Sequence, residues 1–83
     1  MATLVEVFTS PTCPHCPGAV RVVEEAKKEI ADLEVEVLDT SDSSNRQKAM
    51  DYGIYAVPTI AINGVVEFVG APTLSELMSK LTN

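Results

Sequence analysis

The 83-residue chain is long enough for one small domain, and an apolar fraction of 46% gives it a core without covalent staples. A formal net charge of −6 disfavours nucleic acid and anionic membrane surfaces as partners. No apolar run approaches the roughly 20 residues of a membrane span, and no basic stretch precedes an apolar one at the N-terminus, so a soluble cytoplasmic protein is expected.

Thr3 to Thr9 reads as a strand, with Thr3, Val5 and Val7 on one face and Leu4, Glu6 and Phe8 on the other. Glu6 is its one charge and is expected at a rim or edge; the alternative is a buried carboxylate that takes the proton of Cys16. Ser10-Pro11-Thr12 leads into Cys13-Pro14-His15-Cys16. A helix is expected from Pro14 to about Asp32, burying Cys16, Val20, Val23, Ala26 and Ile30, with Glu24 and Lys28 as an exposed i,i+4 pair. Pro14 suits the first helical position, where a missing N–H costs nothing. Pro17 would then remove the first intrahelical hydrogen bond, which nothing in the sequence explains.

Two thiols at this spacing, at a strand-to-helix turn, are close enough to form one disulfide, and a C-x-x-C near a β-α-β pattern reads as a redox motif. Cys13, at the helix cap, is expected to be the more exposed sulfur, its thiolate stabilised by the free first-turn amides. Cys16, one turn in, is expected to point toward the sheet. Cys13 is therefore assigned as nucleophile and Cys16 as resolving thiol. His15, the only histidine, lies between them. Its N–H or its cation would stabilise the Cys13 thiolate and make the disulfide more oxidising; the plainer alternative is a solvated turn residue.

Glu34 to Leu38 alternates as a second strand, with Val35 and Val37 on one side, and the β-α-β order implies parallel pairing with a right-handed crossover. After a polar loop, Ser44 and Gln47 fit a capping box that opens a short helix through Tyr52, closed by Gly53 at C′. Ala49, Met50 and Tyr52 are its expected packing residues. Thr59–Ile62 and Val65–Val69 flank Asn63-Gly64, a strong hairpin signal of type I′. Thr73 and Glu76 form a second capping box, ahead of an apolar stripe of Leu74, Leu77, Met78 and Leu81. The expected order is β-α-β-α-β-β-α.

This order, with C-x-x-C at the first strand-to-helix turn, resembles the thioredoxin fold in its minimal, glutaredoxin-sized form. The resemblance implies an α/β chain of one domain over residues 1–83, with a four-stranded mixed sheet and helices on both faces. Phe8-Thr9-Ser10-Pro11, Cys13-Pro14-His15-Cys16-Pro17, Ala56-Val57-Pro58-Thr59, Ile62-Asn63-Gly64 and Val69-Gly70-Ala71-Pro72 are most similar to the small thioredoxin-like redoxins of methanogenic archaea. The resemblance implies a cis Pro58 beside the active site and a Val57 backbone free to pair with a substrate strand. Thr12, Val57, Pro58 and Gly70 are the substrate-binding candidates, beside Cys13, Pro14, His15 and Cys16 as catalytic ones. It further implies a reductase of protein disulfides, recharged by a thioredoxin-reductase-like flavoprotein, with no cofactor beyond the redox-active disulfide and acting as a monomer.

Three departures from the family patterns stand out. Thioredoxins carry a buried acid six positions before the first cysteine, where this chain has Val7, and a Trp before it, of which this chain has none. The glutaredoxin Gly-Gly-x-Asp segment that holds glutathione is reduced here to Val69-Gly70-Ala71-Pro72-Thr73, without the second glycine or the acid. A glutathione-linked oxidoreductase is nonetheless an alternative. A metal or iron–sulfur carrier using the two thiols is a weaker one, because Cys13, His15 and Cys16 cannot easily converge on one ion. A third is a non-catalytic module that binds peptides between the 13–16 turn and Pro58.

Overall fold

The computed structural model describes residues 3–82. They form β1 (Thr3–Thr9), α1 (Cys16–Glu29), β2 (Leu33–Asp39), α2 (Ser43–Asp51), β3 (Thr59–Ile62), β4 (Val65–Val69) and α3 (Leu74–Leu81), the order read from the sequence. The sheet runs β2-β1-β3-β4, with β1 parallel to β2 and antiparallel to β3, and β3 antiparallel to β4. This is a small thioredoxin fold.

Alternation along β1 separates two cores. Val5 and Val7 pack with Ala19, Val23 and Ala26 of α1 and Leu77 of α3. Phe8 turns to the other face, where it meets Ala61, Ala49 of α2 and Ile54. Helices therefore cover both faces because β1 is buried on both, as a central strand with a parallel neighbour requires. Asn63 and Gly64 both have positive φ (50° and 83°), the signature of the type I′ turn. The Thr73–Glu76 capping box is formed in both directions.

Several expectations need correction. Helix α1 begins at Cys16, with His15 as N-cap, two residues later than Pro14. That shift accounts for Pro17: it falls within the first turn, where its missing N–H would have had no intrahelical partner. The helix also stops at Glu29, short of Asp32, because Ile30 is already extended (φ −120°, ψ 107°). Its buried face is Cys16, Ala19, Val23 and Ala26, with Val20 and Ile30 only partly covered. Lys28 approaches Glu25, at 3.5 Å, rather than Glu24.

The cap of α2 is Asp42, not Ser44. Its carboxylate accepts from the Ser44 and Asn45 amides at 2.9 and 3.4 Å and also takes the Ser44 hydroxyl at 2.6 Å. Gln47, the other half of the expected box, donates instead to Asp51. The helix ends as read, in a Schellman motif: Gly53 N–H donates to Met50 O and Ile54 N–H to Ala49 O, with Gly53 at φ 74°. Met50 is 59% exposed and not a packing residue; Ala49 alone is buried in this helix. Val37 is 49% exposed, because β2 is an edge strand, and it lines a groove with Cys13, Cys16 and Val20.

Candidate active site

The 10–15 turn leaves the C-terminal end of β1. That end is fastened to β2: Thr9 O accepts both the Thr40 amide and its hydroxyl, each at 2.8 Å. Cys13 N–H donates to Ser10 O at 3.2 Å, and the Thr12 amide and hydroxyl both lie near the Ser10 hydroxyl. Cys13 and Cys16 are joined in a disulfide, with their Cα atoms 5.4 Å apart.

The two sulfurs occupy unequal places. Cys13 precedes the helix and is partly exposed. Cys16 is the first residue of α1 and only 4% exposed. The positive end of the helix dipole lies at this disulfide, and no acidic residue in the first turn opposes it. Pro14 and His15 are exposed. His15 caps α1 with its backbone, its carbonyl accepting from Ala19 at 3.2 Å, while its side chain makes no cap hydrogen bond.

The Val57–Pro58 peptide is cis. Thr59 pairs with Phe8, so Pro58 is one step beyond, next to Thr9 and at the same end of the sheet as the cysteine turn. Pro58 is buried, and its carbonyl accepts from Gly70 N–H at 2.8 Å; Gly70 has φ 102°. Val57 is half-buried and lines a groove with Ser10, Arg46, Met50 and Tyr55. Ser10 also borders the groove that both cysteines line, so the two grooves meet there. Thr12, exposed in the turn, lines neither. Sequence reasoning brought Cys13, Cys16, Val57, Pro58 and Gly70 to one end of the sheet; it missed Val37, Arg21 and Glu24, which line the cysteine groove together with Val20. The spacing of four in Cys16, Val20 and Glu24 was the available signal, since it sets them on one helical stripe.

Glu6 is neither at a rim nor at an edge. It is fully buried on the face covered by α2, where Oε1 accepts from the Tyr52 hydroxyl at 2.8 Å and Oε2 contacts the Lys48 ammonium. The hydrogen bond to Glu6 holds the Tyr52 hydroxyl above its ordinary pKa of 10.0, with burial adding to the shift. The same carboxylate raises Lys48 above 10.5. Cys16 belongs to α1, on the other face, so the alternative of a Glu6 proton acceptor for Cys16 is overturned.

A redox-active pair at a strand-to-helix turn, on this sheet, defines a dithiol–disulfide protein of minimal size. The thioredoxin domain model matches residues 3–82. Over 78 residues the chain is 58% identical to the thioredoxin of Methanocaldococcus jannaschii, covering 93% of this chain and 89% of that one. It is 56% identical to a probable thioredoxin of Methanothermobacter marburgensis, covering 100% of this chain and 96% of the relative, and 55% identical to one from Methanothermobacter thermautotrophicus with the same coverage. The chain belongs to the thioredoxin family and is a thiol–disulfide oxidoreductase. These relatives favour neither the glutathione-linked reading nor the metal carrier. Among the described residues no group of three or more His, Cys, Asp or Glu side chains is arranged to hold a metal ion, and no helix is long and apolar enough to cross a membrane.

Proposed function

We propose that the chain reduces disulfides of protein substrates, with Cys13 as nucleophile and Cys16 as resolving thiol. The observation that carries the assignment is the unequal burial of the two sulfurs: Cys13 is partly exposed ahead of the helix and Cys16 is 4% exposed within it. In the reduced protein the Cys13 thiolate, favoured by the helix N-terminus, attacks a substrate sulfur and expels the other as thiolate. Cys16 then loses its proton and attacks Cys13 in the mixed disulfide, releasing the second substrate thiol. The substrate gains two electrons and the protein becomes the Cys13–Cys16 disulfide. Water in the groove that Cys16 lines is the acceptor for its proton, since Glu6 faces the other way.

His15 acts on the Cys13 thiolate as a donor or cation. The backbone of Val57, before Pro58, pairs with an extended substrate segment, and Gly70, bonded to the Pro58 carbonyl, borders it; Thr12 meets the substrate from the exposed cysteine turn. The protein works as a monomer in the cytoplasm, and a thioredoxin-reductase-like flavoprotein returns it to the dithiol. The test is a pair of variants assayed on a protein disulfide. Cys16→Ser is expected to accumulate a covalent mixed disulfide visible by mass, and Cys13→Ser to form none. A mixed disulfide on Cys16 in the Cys13→Ser protein, at the rate of the other variant, would reverse the roles.

A further inference from the structure

The groove that both cysteines line has a volume of about 530 Å³ and is lined in addition by Val20, Arg21 and Glu24 of α1 and by Val37 of β2. This size is that of a small-molecule site. Arg21 and Glu24 are exposed, and neither side chain makes an ion pair or hydrogen bond within the described residues, which leaves both heads free to meet a ligand. Three residues apart, they are neighbours on one helix face. Helical side chains lean toward the N-terminus, so both lean back toward the disulfide. Arg21 starts roughly 7.5 Å along the axis from Cys16, a span that its long side chain recovers.

We infer that this groove binds a low-molecular-weight disulfide with a free α-amino acid head, of the cystine type, and presents it to Cys13. The head carries a carboxylate and an ammonium on one carbon; Arg21 takes the carboxylate and Glu24 the ammonium, with the methylene and far sulfur against Val20 and Val37. A cysteine inside a protein chain has both groups tied up in peptide bonds, so this pair of opposite charges recognises the free amino acid and not a protein loop. The inference rests on the dithiol chemistry proposed above. The Cys13 thiolate forms a bond to one sulfur of the small disulfide, whose S–S bond breaks and releases one cysteine thiolate. Cys16, losing a proton to water, attacks Cys13 and releases the second. Two electrons pass from the protein dithiol to the small disulfide.

The experiment is single-turnover oxidation of the pre-reduced protein by four disulfides: cystine (zwitterionic), cystamine (cationic), dithiodipropionate (anionic) and hydroxyethyl disulfide (neutral), read as second-order rates by quenched mass. Leaving-thiol acidity alone separates these reagents, so each rate is compared between parent and variant. Arg21→Gln and Glu24→Gln are each expected to lower the cystine-to-hydroxyethyl disulfide rate ratio about tenfold. Arg21→Gln should also shift preference toward cystamine over dithiodipropionate, and Glu24→Gln the reverse. Ratios within about twofold of the parent in both variants would overturn the cystine site. Parental protein that fails on a protein disulfide as well would instead overturn the oxidoreductase reading on which the site depends.

Discussion

Glu6 and Cys16 belong to opposite faces of one sheet: Glu6 lies under α2 with its Oε1 2.8 Å from the Tyr52 hydroxyl, and Cys16 opens the helix that covers Val5 and Val7. The family's usual buried acid would occupy the Val7 side; this chain keeps its buried carboxylate one residue away and turned through the sheet. Glu6 therefore ties β1 to α2, on the sheet face away from the helix that carries Cys16. Glu6→Gln weakens the Tyr52 hydrogen bond and leaves Lys48 without its counter-charge. Because Lys48 is 38% exposed and can turn to water, the expected loss is about 1–3 kcal/mol, below that for a fully buried partner. Urea unfolding should show a lower midpoint at unchanged slope. The rate of mixed-disulfide resolution should stay at the parental value.

The same cluster governs the alkaline limb of stability. Tyr52 and Lys48 both have folded pKa values raised above 10.0 and 10.5, chiefly by Glu6. A group that binds its proton more tightly when folded contributes stability that is complete below its unfolded pKa and is lost as pH rises through the folded one. Stability should thus hold to about pH 10 and then fall. In Glu6→Gln that fall should be shallower. Denaturation midpoints between pH 8 and 11.5, parent against variant, check it; parallel curves would contradict it.

At the acid end the relevant groups are helix caps. Asp42 is held below its ordinary value by the Ser44 hydroxyl and by the Asn45 and Ser44 amides, and Glu76 by the Thr73 amide and hydroxyl. Depressed carboxylates contribute stability that is present above the unfolded pKa and lost as pH falls through the folded one. Stability should therefore decline below about pH 4. Asp42→Asn keeps a cap acceptor but does not titrate, so its acid limb should be shallower than the parent's, measured by helical circular dichroism against pH.

The sequence carried the element order, both hairpin-turn residues, the α3 cap and the redox pair, because each is encoded by neighbours within a few positions. It was less legible where two local signals compete. Asp42 and Ser44 are both good cap residues, and the acid two positions ahead engaged the Ser44 hydroxyl, which removed the expected box. Pro14 and Pro17 each fit a first turn; only the turn through Cys13 and Ser10 decides that the helix waits for Cys16. Glu6 was illegible for another reason: a charge on an apolar strand gives no hint of a tyrosine and a lysine 46 and 42 positions away. The Arg21–Glu24 groove depends on Val37 from β2, so no single segment shows it.

Two glycines should respond in opposite directions to alanine. Gly53 has φ 74° in the Schellman turn, a conformation that costs an L residue about 1 kcal/mol, so Gly53→Ala should destabilise by that amount. Gly18 lies in the first turn of α1 without a positive φ, and a Cβ there meets nothing within 4 Å. Gly18→Ala should stabilise by about 0.5 kcal/mol, by restricting the unfolded chain and favouring the helix. Thermal midpoints of the two variants should straddle that of the parent.

His15 offers the sharpest test of how the turn sets the redox balance. Its backbone caps α1, so the ring is not needed to start the helix, and the exposed side chain leaves replacement free of packing cost. If the ring stabilises the Cys13 thiolate, it stabilises the reduced protein, and removing it must favour the disulfide. His15→Ala is then expected to lower the reduction potential by about 30 mV, equivalent to about 1.4 kcal/mol for the two-electron couple. The Cys13 thiolate absorbance should titrate at higher pH in the same variant, because the reduced form loses a donor or a nearby cation. Equilibration in graded dithiol buffers gives the first quantity and ultraviolet titration the second. The two must move together, since both measure one thiolate. A potential and a thiol pKa both unchanged in His15→Ala would make His15 a solvated turn residue and leave the helix N-terminus as the source of thiolate stabilisation.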